Sequence, residues 1–365
     1  MKIIATSYIN TPAYNDPETW LERIDFYAGV LEALAKKHEL VSIEQINYSG
    51  RVEKNGMHYH FLNYKKKKLR FPFGLHSYIK KLNPDIVLVH GLVFPFQVML
   101  LKKALERKTK ILVQHHAEKP FRGFRKYLQQ YADRFIDAYF FVSKEMGTAW
   151  VKQGIIGDEK KIFEVMEVSS RFQPMDKTEA IAVTKAKGNP VFLWVGRLDI
   201  NKDPLTVVKA FGQFIQKEPL ARLYMVYHTE DLKEEVMGYI AKENLQKNII
   251  MVGKVPHQEM QYWYSSAGFI ISGSHYEGSG VAVCEAMSCG CIPVLTNITS
   301  FRKMTGPGKC GLLYEPGDVV GLLNVLLKTN ELDLEIEKNK VLEQFKDGLS
   351  FEAIGEKINM LINSL

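Results

Sequence analysis

The sequence predicts an α/β protein with two doubly wound domains in tandem, and three observations support this prediction. Short apolar runs alternate with amphipathic segments at helical spacing, which is typical of parallel sheets covered by helices on both faces. This pattern fades once, within residues 173–189, and then restarts. The chain has 365 residues, of which 46% are hydrophobic and 24% charged, and is long enough for two domains with a core each.

The first domain, residues 1–172, begins with a βαβ unit. KIIATS is a predicted strand, ETWLERIDFYAGVLEALAKKH has apolar residues at helical spacing, and ELVSIEQI is a second strand. The alternation continues as strand, helix, strand, helix and strand through PDIVLVHG, FQVMLLKKALER, TKILVQHHA, FRKYLQQYADRFI and AYFFVS. This order favours a parallel sheet.

The second domain, residues 190–349, follows a linker predicted at 173–189. Its strands are predicted at PVFLWVG, ARLYMVYH, NIIMVG, GFIIS and IPVLTN, with helices between them, including one from Pro204 to Gln216. Residues 350–365 form a last helix, which we expect to pack back towards the first domain.

The composition argues against a secreted, a membrane-spanning or a zinc-binding protein. The N-terminus has too few apolar residues for a signal peptide, and no run reaches the roughly 18 apolar residues of a membrane span, so we expect a cytoplasmic protein. The four cysteines form no CxxC pair and have no histidine at zinc-finger spacing. We interpret them as reduced, mostly buried thiols, and we predict no metal site.

The positive charge is concentrated in the first domain. Residues 1–134 hold 23 Lys and Arg against 12 Asp and Glu. Basic residues interleaved with Phe71 and Phe73 suit an anionic membrane surface, which predicts peripheral association with the inner face of the membrane. A solvated loop and helix face is an equally good interpretation. No recognisable nucleic-acid motif accompanies the charge. The cluster consists of Lys65, Lys66, Lys67, Lys68 and Arg70.

The stretch HYEGSGVAVCEAM, residues 275–287, predicts a strand, a turn and a helix that begins at Val281. Glycines in the turn allow close backbone approach, and the helix N-terminus favours an anion such as a phosphate. At 1.5 Å per helical residue, Glu277 and Glu285 are roughly 10 Å apart. That is too far for a shared metal or for the paired carboxylates of a retaining glycosidase, about 5–5.5 Å apart. The spacing suits a sugar and a ribose on either side of a diphosphate, although Glu285 capping the helix or facing solvent is the alternative.

The stretch VGRLDINKDPLTVVKAF, residues 195–211, supplies two cations after a predicted strand. Arg197 and Lys202 lie on the connection into the next helix. Together they can neutralise a diphosphate without a divalent metal.

The C-terminal half resembles the retaining glycosyltransferases of family 4, which have the GT-B fold of two Rossmann-like doubly wound domains facing across a cleft. The matching elements are VGRL with Lys202 downstream, SHYEGSGVAVCEAMSCGCIPV as the family's E-x7-E segment, and CGLLYEPGD. They cover roughly residues 190–330. NPDIVLVHG and AYFFVSKEM resemble the family's first domain more loosely.

The resemblance implies a role for each matching residue. Arg197 and Lys202 would bind the diphosphate of a UDP- or GDP-linked sugar, Glu277 the transferred sugar, and Glu285 the ribose. The backbone of Gly278, Ser279, Gly280 and Val281 would contact sugar and phosphate, and that of Gly253, Lys254 and Val255 the base. The family's mechanism retains anomeric configuration, and it implies no cofactor besides the donor substrate.

Two histidines follow the strand KILVQ at the edge of the first domain. A histidine near this position contacts the donor sugar in the family, so His115 and His116 are both candidates. Strand alternation directs only one of them inward, and the sequence leaves the phase open. The alternative is a polar pair without catalytic duty. His90 is a weaker candidate, and His275 is interpreted as orienting its turn.

Three departures from the family's pattern are present. The first loop, SYINTPAYNDPE, contains no glycine, the usual Asn-Gly-Val-Asp segment is replaced by EVSSRFQP, and Ser279 occupies the place of an aromatic residue. We therefore expect an unusual acceptor side.

The sequence thus predicts a retaining, metal-independent hexosyltransferase that uses a glycan or lipid-linked acceptor in cell-surface polysaccharide synthesis. A sugar-nucleotide epimerase of similar fold is one alternative, but it would need acidic acid/base groups that the E-x7-E arrangement does not suggest. A non-catalytic nucleotide-sugar-binding protein is the second. A dinucleotide oxidoreductase is a third, although no GxGxxG follows a strand.

Overall fold

The computed structural model describes residues 1–365, which form two compact units. One unit comprises Met1–Ser169 together with Phe351–Leu365, and the other comprises Ser170–Ser350. Each contains a mainly parallel sheet with helices on both faces, so the predicted fold class of two Rossmann-like α/β domains is confirmed. No helix combines the length and the apolar composition needed to cross a membrane.

The strands are three to six residues long, and most are apolar runs, as expected for parallel sheets buried on both faces. They are β1 (Lys2–Thr6), β2 (Glu39–Glu44), β3 (Gly50–Lys54), β4 (Met57–Phe61), β5 (Ile86–His90), β6 (Lys110–Gln114), β7 (Ala138–Phe141), β8 (Ile162–Glu164), β9 (Val191–Gly196), β10 (Arg222–Tyr227), β11 (Ile249–Gly253), β12 (Phe269–Ser272), β13 (Ile292–Thr296) and β14 (Leu312–Tyr314).

The helices alternate with these strands along the chain. They are α1 (Pro17–Arg23), α2 (Asp25–Ala35), α3 (Lys66–Arg70), α4 (Phe73–Lys81), α5 (Pro95–Ala104), α6 (Phe124–Ala132), α7 (Lys144–Lys152), α8 (Lys177–Thr184), α9 (Pro204–Phe214), α10 (Lys233–Lys242), α11 (Met260–Ser266), α12 (Val281–Ser288), α13 (Thr299–Met304), α14 (Val319–Lys328), α15 (Leu334–Gly348) and α16 (Phe351–Ser364).

The sheet of the first unit has the strand order β3-β4-β2-β1-β5-β6-β7-β8. All neighbours pair in parallel except β3, which pairs antiparallel with β4. The β3–β4 hairpin is absent from the sequence prediction. Its turn residues Asn55 and Gly56 both have positive φ, at 52° and 77°, and an Asn-Gly pair with positive φ at both positions is a strong hairpin signal.

The C-terminal helix belongs to the first unit, because α16 packs on α2. Gly29 in α2 permits the close approach, since a Cβ there would lie 2.6 Å from the Phe351 ring. The His38 ring also hydrogen-bonds Asn359, with 2.9 Å between Nε2 and Oδ1.

The sheet of the second unit is entirely parallel, with the order β11-β10-β9-β12-β13-β14. Its core is rich in phenylalanine, and the rings of Phe192 on β9 and Phe269 on β12 stack with centroids 4.9 Å apart. β9 and β12 are therefore neighbours, although more than 70 residues separate them along the chain.

Two boundaries differ from the sequence prediction. The segment 173–189, predicted as a linker, belongs to the second unit and contains α8. Asp176 caps this helix by accepting hydrogen bonds from two backbone N–H groups, and α8 packs on α11. The apolar pattern fades here because Ala180 is the one buried residue of α8. The long first helix is also split, with Ile24 between α1 and α2.

Candidate active site

The segment predicted to carry the donor site has the expected local structure. β12 ends at Ser272, and α12 begins at Val281. Gly280 is the residue before the helix and has φ +79°. A Cβ on Gly280 would also lie 2.7 Å from the Phe301 ring, so glycine is required on two grounds. The turn thus brings backbone and a helix N-terminus to the carboxyl edge of the sheet, where anions bind favourably.

Glu277 and Lys202 form an ion pair at this edge. Their side chains are only 14% and 20% exposed, so the pair is largely shielded from water. The Ser274 hydroxyl donates a second hydrogen bond to Glu277, at 2.7 Å. The structure therefore brings together two residues that the sequence assigned to the sugar and to the diphosphate, and it adds Ser274.

The loops after β9 and β12 are tied together by further contacts. The Asn201 side chain donates to the carbonyl of Tyr276 at 2.9 Å, and the His275 N–H donates to the carbonyl of Asn201 at 2.8 Å. The loops pass so closely that a Cβ on Gly273 would lie 2.8 Å from the carbonyl oxygen of Asp203. Sequence reasoning missed Asn201 and Gly273, whose contacts depend on β9 and β12 being neighbours.

Arg197 directly follows β9 and is the more accessible of the two predicted cations. Its side chain is 53% exposed, and Nε lies 3.2 Å from a carboxylate oxygen of Asp199. A Cβ on the preceding Gly196 would lie 3.5 Å from Cδ of Lys202, so the Lys202 side chain runs beside the end of β9. Two cations therefore lie on one short loop at the carboxyl end of a central strand.

Glu285 lies inside α12 and neither faces solvent nor caps the helix. The residue is 6% exposed. Its carboxylate accepts a hydrogen bond from the Tyr264 hydroxyl at 2.8 Å and lies 2.6 Å from Nε2 of His257. Burial and the neighbouring carboxylate raise the pKa of Tyr264 well above its usual value, which keeps the hydroxyl protonated as a donor.

The partners of Glu285 are a second feature that sequence reasoning missed. His257 and Tyr264 are seven residues apart, which places them on one face of a helical segment. The Phe172 ring packs against the His257 ring at 5.1 Å. The pattern HQEMQYWY places the histidine and the tyrosine on one helical face, but the sequence does not show that this face packs against α12.

The three residues predicted near the base lie at the end of an edge strand. β11 ends at Gly253, which has φ +85°. Lys254 is exposed, whereas Val255 packs against the core of the second unit.

In the first unit, the structure distinguishes the two candidate histidines. His115 is 1% exposed, and its Nε2 donates to the carbonyl of Glu118 at 3.0 Å. Burial lowers its pKa, so the ring is neutral, and it packs on Phe141 at 4.7 Å. His115 is thus a buried residue held within its own loop, and its contact with a donor sugar stays a prediction.

His116 is the partly exposed member of the pair, with a side chain 32% exposed. Its Nδ1 lies 2.6 Å from Glu167, and its Nε2 lies 3.0 Å from Nδ1 of His90. Burial opposes the positive charge, but the hydrogen bond and the charge of Glu167 outweigh it and raise the pKa of His116. His90 is half-buried, and the desolvation of its ring lowers its pKa to about 3 and keeps it neutral.

Glu118 holds the loops around His116. One of its carboxylate oxygens accepts from the His116 N–H at 2.6 Å, and the other accepts from the Leu92 N–H at 3.0 Å. Neither Glu118 nor Glu167 was a sequence candidate. Glu167 lies about 50 residues beyond His116, so no local sequence pattern indicates that the two residues meet.

The glycine-free first loop lies along the end of β2. The Thr11 N–H donates to the carbonyl of Gln45, and the Asn47 N–H donates to the carbonyl of Tyr14, both at 2.8 Å. The loop backbone is therefore fixed by strand-like pairing without any glycine.

All four cysteines are buried, as the sequence predicted. Burial raises the pKa of Cys289 and of Cys310 to about 12, so these thiols stay protonated and unreactive at neutral pH.

Two family models match the chain. Glycosyl transferases group 1 matches residues 176–341, and Glycosyltransferase Family 4 matches residues 31–162. Both describe glycosyltransferases, so the epimerase and oxidoreductase alternatives find no support in these comparisons.

Curated relatives are distant. The chain is 24% identical over 236 residues to GDP-mannose:cellobiosyl-diphosphopolyprenol alpha-mannosyltransferase of Xanthomonas campestris, a match that covers 63% of this chain and 60% of that protein. It is 26% identical over 246 residues to poly(glycerol-phosphate) alpha-glucosyltransferase of Bacillus subtilis, covering 66% of this chain and 35% of that protein. The match thus spans 60% or less of the length of these two relatives.

Solved structures share the fold over the whole chain. Sucrose-phosphate synthase of Thermosynechococcus elongatus has a TM-score of 0.73 at 17% identity, with 100% of this chain and 99% of that chain covered. Anabaena HepE in complex with UDP has a TM-score of 0.75 at 15% identity, with both chains covered completely. These neighbours identify the architecture as GT-B.

Proposed function

We propose that this chain, which belongs to glycosyltransferase family 4, is a retaining, metal-independent hexosyltransferase that uses a nucleotide diphosphate sugar. The observation that carries the proposal is the shielded Lys202–Glu277 ion pair, with the exposed guanidinium of Arg197 on the same loop. All three residues follow β9 or β12, two neighbouring strands whose carboxyl ends meet at one sheet edge.

The two cations would bind the donor diphosphate. Arg197 is exposed enough to form charge-assisted hydrogen bonds with it, and Glu277 holds the Lys202 ammonium in place beforehand. A preorganised cation costs no reorganisation when negative charge develops on the leaving group. Arginine and lysine would thus take the part that a divalent metal plays in other transferases.

Glu277 would accept a hydrogen bond from the transferred sugar while it holds Lys202, because one carboxylate can accept several hydrogen bonds. The backbone from Gly278 to Val281 would contact the sugar and phosphate at the start of α12. Glu285 would bind the ribose, with its orientation determined by Tyr264 and His257. The base would lie near the end of β11, at Gly253 to Val255.

In the first unit we propose His116, and not His115, as the histidine that contacts the donor sugar. His115 is buried and hydrogen-bonded to its own loop, whereas His116 is partly exposed. Glu167 and Glu118 would position His116 from its side chain and its backbone respectively.

The reaction would be a same-face substitution at the anomeric carbon. The bond from that carbon to the leaving phosphate oxygen breaks, and a bond to the acceptor oxygen forms. The acceptor proton passes to the leaving diphosphate. The enzyme's contribution would be positioning and charge stabilisation, which the arrangement of Arg197, Lys202 and Glu277 favours.

We propose an acceptor that carries phosphate or is linked to a lipid. Residues 1–134 have an excess of basic over acidic side chains. The two relatives named above act, by their names, on a diphosphopolyprenol-linked sugar and on poly(glycerol-phosphate), both of which are anionic. Synthesis of a cell-surface polysaccharide at the inner face of the membrane fits such an acceptor, and the cluster from Lys65 to Arg70 would favour an anionic surface.

A thermal-shift panel tests the donor first. UDP, GDP and ADP, with their glucose and mannose conjugates, are each added with and without EDTA, because a ligand that binds the folded state raises the unfolding temperature. We expect one nucleotide family to stabilise the protein, with no effect of EDTA. A response to none of them would contradict the proposal, and loss of the shift in EDTA would contradict metal independence.

The same panel with two variants locates the site. Arg197→Ala should abolish most of the shift, whereas Lys217→Ala, an exposed cation after α9, should leave it unchanged. Turnover of the donor that binds then separates a transferase from a non-catalytic binding protein. The anomeric configuration of the product, measured from NMR coupling constants, shows whether the transferase is retaining.

A further inference from the structure

Helix α6 exposes three large aromatic side chains to solvent. Phe124 is 76% exposed, Tyr127 is 67% exposed and Tyr131 is 48% exposed. They are at positions i, i+3 and i+7, which form a single stripe along one face of a helix. A contiguous exposed apolar stripe on an otherwise well-packed unit indicates an interaction surface.

The opposite face of α6 fixes the stripe in its outward orientation. Gln129 and Ala132 are buried beneath the helix. The Gln129 side chain donates to the carbonyl of Leu92 at 3.1 Å and accepts from the N–H of Phe121 at 2.8 Å. Rotating the aromatic residues into the core would break both hydrogen bonds and expose a buried amide, so the stripe is held outward by the packing.

Basic side chains surround the stripe. Residues 119–132 include Lys119, Arg122, Arg125 and Lys126 and contain no acidic residue. The Arg134 guanidinium also lies over the Tyr131 ring, 5.3 Å from its centroid. Apolar and cationic groups are therefore interleaved on one surface.

A second basic and aromatic segment also contacts α5. Phe71 and Phe73 are 53% and 65% exposed, directly after the cluster from Lys65 to Arg70. The Phe71 ring contacts Phe96 on α5 edge-on, with centroids 5.7 Å apart, and α5 packs on α6. The two basic-aromatic segments are thus connected through one helix of the first unit.

We propose that the α6 stripe docks on an anionic lipid bilayer by inserting its aromatic side chains at the headgroup level. Tyrosine and phenylalanine have an apolar body suited to this depth, and tyrosine keeps its hydroxyl in water. Lysine and arginine attract anionic headgroups, each contributing on the order of 1 kcal/mol. A helix as short as α6 lies in the plane of the interface and does not cross it.

Attachment through an interfacial helix strengthens with the apolar area that it buries and with its attraction to anionic lipids. The segment around Phe71 would add to both. A second copy of this chain is a poorer occupant, because a twofold contact through α6 would place Arg122, Arg125 and Lys126 against the same cations of the partner. The inference deepens the proposed function, on which it rests, by naming the surface that meets the membrane. Its test does not depend on which sugar is transferred.

The test compares vesicle binding of the full chain and two double variants. Vesicles of phosphatidylglycerol and phosphatidylcholine, and of phosphatidylcholine alone, are sedimented with wild type, with Phe124→Ser/Tyr127→Ser, and with Leu220→Ser/Met237→Ser. The last pair removes two comparably exposed apolar side chains from the second unit. We expect binding of wild type to anionic vesicles only, about tenfold weaker binding for the α6 variant, and no change for the control.

Insertion is measured separately with Tyr127→Trp, which keeps an aromatic side chain. Because wild type already contains four tryptophans, the emission of wild type is subtracted. The remaining fluorescence should shift to the blue on vesicles and be quenched by brominated phosphatidylglycerol. Absence of binding to anionic vesicles, equal binding of the α6 variant, or stronger binding to a soluble glycerol-phosphate polymer than to vesicles would overturn the proposal. The nucleotide thermal shift of the α6 variant should equal that of wild type, so failure of lipid docking is distinguishable from failure of the transferase proposal.

Discussion

Nδ1 of His116 lies 2.6 Å from a carboxylate oxygen of Glu167, across about 50 residues of sequence. The pair joins the end of β6 to the segment after β8, at the carboxyl edge of the first sheet. Because Glu167 is only 8% exposed, its negative charge is poorly screened and favours the protonated ring. His90 and Glu118 contact His116 from its other sides.

The pair predicts a pH-dependent contribution to stability. A histidine whose pKa is raised in the folded state contributes its full stabilisation below its ordinary pKa of about 6.5. This contribution is lost as the pH rises through the raised pKa. Glu167→Gln should therefore lower the free energy of unfolding by about 1 kcal/mol at the acidic end of a urea titration series, and by less at the alkaline end.

A double-mutant comparison isolates the pair. In a His116→Gln background, Glu167→Gln should no longer have a pH-dependent effect on the free energy of unfolding. An effect of Glu167→Gln that grows with pH would contradict the charged state of His116 described above.

Arg197→Ala should weaken nucleotide diphosphate binding by roughly 10- to 100-fold, because it removes charge-assisted hydrogen bonds. The half-exposed side chain contributes little to packing, so the free energy of unfolding should change by less than about 0.5 kcal/mol. Isothermal titration calorimetry and urea denaturation measure the two quantities. Unchanged affinity, with Lys217→Ala as the matched control, would exclude Arg197 from the site.

Tyr264→Phe should destabilise the second unit by about 1–3 kcal/mol, because it leaves the buried Glu285 carboxylate with one donor fewer. Tyr262→Phe, on the same helix but only partly buried, should change the free energy of unfolding by less than about 0.5 kcal/mol. Urea denaturation of both variants checks the difference. Equal effects would mean that the Tyr264 hydroxyl does not support Glu285.

Gly280→Ala should destabilise the protein by roughly 2–4 kcal/mol, since alanine would be strained at φ +79° and its Cβ would collide with the Phe301 ring. Gly238→Ala, inside α10 with open space around it, should instead stabilise by about 0.5–1 kcal/mol. Thermal denaturation of the two variants should therefore move in opposite directions. A neutral Gly280→Ala would show that the turn before α12 can relax.

Much of the second unit could be predicted because its signals are local. The run FIIS, the Gly-Ser-Gly turn and the apolar helix after it located β12 and α12 from neighbouring residues alone. The same local rules failed for α8, which buries one side chain and so has no apolar stripe. β3 was missed because it has no buried apolar run, although the Asn-Gly turn after it is a local hairpin signal.

The sequence by itself determined the two α/β domains, the strand-turn-helix at Glu277 and the loop with Arg197 and Lys202, through its periodicity and its turn residues. Only the tertiary structure decided which side chains meet: Glu277 with Lys202, Glu285 with Tyr264 and His257, and His116 with Glu167. It also decided that His115 is buried and that the α6 stripe is not. The physical reason is that these pairs depend on which strands are neighbours and on the phase of each strand and helix, and both are determined by packing over long sequence separations.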